Sequence, residues 1–150
     1  MPSMDNSELR ARLAAALNAA EYRWLNEPVI WGRSDCLMSC ADVLAGPLGF
    51  DPAADYRGRY STARGFKRIL HREGFGDLRA CLDWYMRNVL RWRRIRPGKA
   101  EIGDFGLWQQ TENVWTCALY HGAGLWAVRG ERGAVFAPTL LIDRAWKVKS

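Results

Sequence analysis

The sequence predicts an α+β fold, with a helical N-terminal half packed on a C-terminal antiparallel β-sheet. Three observations carry this. Apolar residues recur at helical spacing in several segments before residue 90. At Pro97-Gly98 the texture changes to short β-rich runs separated by Gly, Asn and Glu turns. Helices followed by strands is the segregated order of an α+β domain.

The elements follow in order. A first helix over about residues 6–25 can be capped by Ser7. Leu9, Leu13, Leu17, Ala20 and Trp24 form its apolar stripe, and Pro28 ends it. That side covers a core or docks on a partner, so the helix is a candidate docking extension of one domain spanning residues 1–150. A second helix starts at Asp35-Cys36 and runs to about residue 46, where Gly46-Pro47 and Gly49 stop it. Residues 50–61 read as an ordered loop. Ser61 or Thr62 caps a third helix carrying Phe66, Ile69 and Leu70 and ended by Gly74. A fourth runs from about Leu78 to Val89, with Leu78, Leu82, Tyr85 and Val89 on its apolar side. Ile102-Gly103-Asp104 then introduces a strand from Phe105 to Gln110. Further runs are Val114 to His121, Leu125 to Arg129 and Val135 to Ala137, and Trp146-Lys147-Val148 adds a last strand.

Composition sets bounds on function. At 150 residues the chain can build one substantial core but hardly two, and 49% apolar residues exclude a disordered protein. The net charge of +6 implies affinity for nucleic acid, acidic glycans or an acidic protein, although solubility alone also accounts for it. The N-terminus lacks the apolar core of a signal peptide. No apolar run approaches the roughly 20 residues of a membrane span. The expected setting is a reducing cytoplasm, with free thiols at Cys36, Cys40, Cys81 and Cys117. Cys36 and Cys40 have helical spacing rather than that of a zinc knuckle, so neither a metal nor another cofactor is expected.

Asp35-Cys36 is the one place where a specific chemistry shows. A thiol in the first turn of a helix lies at the positive end of the dipole, where backbone N–H groups favour the thiolate. Cysteine peptidases and amidases place their nucleophile there. The competing reading is a core thiol, since Cys36, Cys40, Val43 and Leu44 share one helical face. A nucleophile also needs a base, and the only histidines are His71 and His121.

Asp35-Cys36 and Ile102-Gly103-Asp104-Phe105-Gly106-Leu107-Trp108 together resemble the NlpC/P60 branch of papain-like cysteine peptidases. More specifically, Trp31-Gly32-x-x-Asp35-Cys36, Ala41-Asp42, Gly49-x-Asp51-Pro52, Arg57-Gly58-x-Tyr60, Gly65, Ile102-Gly103-Asp104 and Ala145-Trp146-Lys147-Val148 resemble, in order, a phage and prophage tail family of that superfamily. Gene transfer agents carry related tail peptidases. The resemblance covers residues from about 25 to the end. It implies a papain-like α+β fold, a peptidoglycan amide hydrolase activity, and a place at the virion tail tip among other tail-tip and hub proteins.

The resemblance makes Cys36 the thiolate nucleophile. It registers Thr116 to Gly122 with the family's His-Val-Gly-Ile-Tyr-x-Gly, so the base position falls on Thr116. His121, the candidate base, then lies on the opposite face of the strand. The third polar position falls near Trp126 or Ala127, and neither can orient an imidazole. His71 reads as a solvated surface residue. The expected outcome is a degenerate catalytic site on a hydrolase fold, with a purely structural tail plug as the alternative and an unrelated basic nucleic-acid-binding module as a further one.

Asp35 is expected to cap its helix and Asp104 to stabilise the turn before its strand, and both are candidate binding residues. Arg91, Trp92, Arg93 and Arg94 form the densest part of a basic run extending from Arg87 to Lys99. Alternating aromatic and basic residues suit single-stranded nucleic acid by stacking and charge, or a protein interface rich in arginine and tryptophan. A solvated connector is the plain alternative. A tail component must dock on its neighbours, which favours the interface.

Overall fold

The computed structural model describes residues 4–150. Helices α1 (Asn6–Arg23), α2 (Cys36–Leu48), α3 (Ala63–Arg72) and α4 (Leu78–Tyr85) precede the sheet. The strands are β1 (Arg94–Ile95), β2 (Phe105–Thr111), β3 (Val114–Gly122), β4 (Leu125–Gly130), β5 (Gly133–Pro138) and β6 (Arg144–Trp146). They form one six-stranded sheet in the order β1-β6-β2-β3-β4-β5, with every neighbouring pair antiparallel. The α+β architecture expected from the sequence is the one observed.

Strand alternation decides what each face does. Phe105, Leu107, Cys117, Leu119 and Ala127 point to the helices and join the main core with residues of all four helices. Ala118, Trp126 and Val128 point the other way, into a smaller cluster closed by Ile142 and Ala145. Helix α1 lays Leu9, Leu13, Leu17, Ala20 and Trp24 into the main core, so its stripe is core rather than a docking extension.

Several boundaries differ from the sequence reading. Asp5, not Ser7, caps α1 by accepting from the Glu8 N–H at 2.9 Å. Helix α2 runs through Gly46 and Pro47 and stops at Gly49, whose φ of 79° closes it. Pro47 is tolerated because it lies in the last turn, where only one helical bond is lost. Thr62 is the cap of α3. Helix α4 ends at Tyr85 and continues as a π-helical turn, Met86–Leu90. The wider turn rotates the apolar stripe, so Val89 is exposed. The two-residue β1 lies within the basic run between Arg87 and Lys99, where no strand was expected.

Two glycines of positive φ permit close approaches. Gly32 has φ of 84°, and a Cβ there would meet the Tyr60 carbonyl oxygen at 2.0 Å. Gly103 has φ of 89°, and a Cβ there would meet the Leu13 Cδ1 at 2.6 Å, so α1 rests directly on this turn.

Asp104 does more than shape its turn. Its carboxylate is fully buried. One oxygen accepts from Arg10 Nη1 at 2.7 Å and Val148 N at 2.9 Å. The other accepts from Glu101 N at 2.9 Å and Lys147 Nζ at 2.7 Å. Arg10 also donates to the Ile102 and Val148 carbonyls. Four separate donors thus hold α1, the turn before β2 and the segment after β6 on one side chain.

Removing one member of a buried ion pair leaves the other charge without compensation. Asp104→Ala is expected to lower stability by about 3–5 kcal/mol. Arg94→Ala, at an exposed position, should stay within about 0.5 kcal/mol of the wild type. Urea denaturation compares them, and equal midpoints would remove the anchoring role of Asp104.

Candidate functional site

Cys36 is the first residue of α2, and the cap behind it fixes its position. Asp35 is buried and accepts from Met38 N at 3.0 Å, Gly32 N at 2.7 Å and the Tyr60 hydroxyl at 2.9 Å. The expected capping role of Asp35 is therefore met, and the carboxylate also ties the Trp31-Gly32 turn and the Tyr60 loop to the helix start. Burial and the neighbouring Asp35 keep the Tyr60 hydroxyl firmly protonated.

The residue facing Cys36 from the sheet is Cys117 on β3. Cys117, by its side chain first and then its backbone, together with the Leu37 backbone, pulls the Cys36 thiol below its ordinary value against the opposing effects of burial and Asp35. Cys36 and burial in turn push Cys117 well above the ordinary range. Of the two thiols, Cys36 is the more readily ionised. Cys40, one turn further into α2, is completely buried and pushed up by desolvation.

The residue of β3 that faces Cys36 is therefore Cys117, one residue beyond Thr116. Thr116 instead donates to Gln110 Oε1 at 2.7 Å. The one-residue slip reverses every side-chain direction along the strand. His121 consequently shares the helix-facing side of the sheet, but four positions further along. That separation is about 13 Å of strand. There its Nδ1 lies 2.6 Å from Glu21 Oε1 of α1, and its ring packs edge-on against Phe136. His121 is not brought to Cys36.

On β4, Trp126 points to the far cluster and Ala127 to the main core, so neither supplies a polar group. Arg129, two residues beyond Ala127, is the buried polar residue of this strand. It donates to the Trp24 carbonyl at 2.7 Å and to the Glu27 carbonyl, closing the chain just after α1. A guanidinium cannot accept a proton from a thiol.

Cys36 is partly exposed at one end of a groove of about 880 Å³. Trp31, Asp35 and Tyr60 line that end, α3 supplies Arg64, Lys67, Arg68 and His71, and Val114 and Trp115 come from the start of β3. His71, read from sequence as a plain surface residue, borders this groove. The α3 wall and Cys117 were missed. The signal for Cys117 was its place with Leu119 in an apolar alternation.

Asp104 is enclosed and presents nothing to the groove. Arg91, Trp92, Arg93 and Arg94 lie elsewhere, at the β1 edge of the sheet. Trp92 is buried, with its Nε1 donating to the Lys149 carbonyl at 3.0 Å, so it offers no stacking face. Among the described residues no group of three His, Cys, Asp or Glu side chains is arranged to hold a metal ion.

Helices packed on one antiparallel sheet give the chain a fold like that of an NlpC/P60 domain. The crystal structure of the NlpC/p60 domain of the peptidoglycan hydrolase SagA matches it with a TM-score of 0.50, covering 90% of this chain and 98% of that chain at 17% identity. The chain belongs to the family described as a domain of unknown function (DUF6950), whose model matches residues 6–148. No curated protein matches it.

Cys36 is expected to react with iodoacetamide with a midpoint below the ordinary thiol value. Cys117→Ala removes the side chain that lowers Cys36 and leaves burial and Asp35 in force, so the midpoint should rise. Rates measured across pH, with Cys36→Ala as the blank, check this. An unchanged midpoint in Cys117→Ala would show that the thiol pair does not set it.

Proposed function

We propose that the protein is a bacteriophage tail-tip component whose NlpC/P60-like fold engages peptidoglycan through the Cys36 groove without cleaving it unaided. The tail assignment draws on the ordered motifs from Trp31 to Val148. The loss of activity draws on one observation: Cys36 faces the Cys117 thiol and not an imidazole.

Amide hydrolysis by a thiolate needs a proton for the leaving nitrogen and then a base to activate water. Cys117, pushed above the ordinary thiol range, cannot serve as that base near neutral pH. His121 is engaged by Glu21 and too distant. Nucleophile and base act as a unit, so a thiolate alone retains little of the rate. What remains suits binding. The groove is of ligand size, has aromatic residues at both Trp31 and Trp115, and carries Arg64, Lys67 and Arg68 along one wall. These cations suit the carboxylates of an acidic peptide.

In this reading the protein is made in the host cytoplasm, assembles with other tail-tip and hub proteins, and meets the wall as the tail passes. The hydrolytic alternative has one favouring observation, the lowered thiol of a partly exposed Cys36.

Incubation with purified peptidoglycan sacculi separates the two. The expected result is co-sedimentation that weakens about tenfold in Arg64→Glu/Arg68→Glu, with no soluble fragments released. Fragment release that disappears in Cys36→Ala would overturn the proposal in favour of an active hydrolase.

A further inference from the structure

The basic run that the Cys36 groove leaves unused forms a second site. Arg87, Arg91, Arg93, Arg94 and Arg144 surround a basin of about 500 Å³, with Trp92 and Trp146 beneath and Asp83 at its side. Arg144 is paired with Asp83. Among the described residues, the other four guanidiniums have no carboxylate within ion-pair distance. Four like charges lining one basin create a local field that favours an anion there.

The backbone that presents them is fixed. Trp92 N donates to the Met86 carbonyl at 2.9 Å, and Lys147 N donates to the Arg93 carbonyl at 2.9 Å. Arg94 pairs with Trp146 across β1 and β6. Arg91 follows the π-helical turn with φ of 59°, a left-handed conformation in which glycine would be at ease and arginine is strained. A strained non-glycine residue after a π turn is a frequent companion of a binding function.

We propose that this basin binds a clustered phosphate group. Planar guanidinium forks match phosphate oxygens, and each phosphate offers several acceptors within a few ångströms. The floor tryptophans are buried, so bases have no exposed ring there to stack on. The recognised chemistry is therefore the phosphate itself, whether free, terminal or carried along a phosphodiester.

Calorimetric titration with pyrophosphate at fixed ionic strength tests this, independently of what Cys36 does. One-to-one binding is expected. It should be at least about tenfold weaker in Arg93→Gln/Arg94→Gln, with the melting point confirming a folded protein. Arg91→Gly relieves the backbone while removing a guanidinium, so it should melt no lower than the wild type and still bind more weakly. A short single-stranded oligonucleotide then assigns the source. Displacement of pyrophosphate points to a polymer's phosphates, and its absence points to a free or terminal phosphate. No binding beyond that of sulfate, or unchanged affinity in the double variant, overturns the site.

Discussion

The carboxylate of Asp104 is the constraint on which the rest depends. A buried charge is tolerated only when its lone pairs are all engaged. Here two cations and two backbone N–H groups engage them. The partners come from the N-terminal helix, the turn before β2 and the segment after β6. Their shared demand fixes where α1 lies on the sheet and where β6 enters between β1 and β2. Leu13 can rest on Gly103 only because that turn is held in place. The same register then carries β3 beneath α2, which is what opposes Cys117 to Cys36.

Most of the architecture was legible because it is written in periods. Leu9, Leu13 and Leu17 marked α1, and the turn residues after Pro97 marked the strands. The capping role of Asp35 was legible because cap and helix are adjacent in sequence. Features that depend on three-dimensional register were not. Assigning Thr116 rather than Cys117 to the Cys36 side is a one-residue error, and a period of two converts it into the opposite face. The α3 wall of the groove is set by how α3 lies over the loop that follows α2, which no local pattern encodes. Trp92 looked like a stacking residue because its neighbours are arginines. Its indole instead closes against the Lys149 carbonyl.

The paired thiols also separate two properties usually found together. In a cysteine hydrolase one imidazole both lowers the thiol and moves the proton. Here Cys117 and the backbone at the helix start lower the thiol, while the His121 imidazole lies against Glu21. The Cys36 thiol is thus lowered without an imidazole beside it.

The fastening of Arg10 to Val148 has a consequence for how the protein comes to exist. These residues are 138 positions apart, and their contact closes the fold around Asp104. During synthesis α1 emerges well before the partners that hold it, which lie far along the chain. Its leucines must wait, exposed or loosely collapsed, until the segment through Lys149 has left the ribosome. Folding of this core therefore waits on a distant contact, with long loops to close before it forms. Nascent chains stalled short of that segment would be the aggregation-prone form, whatever the stability of the finished molecule.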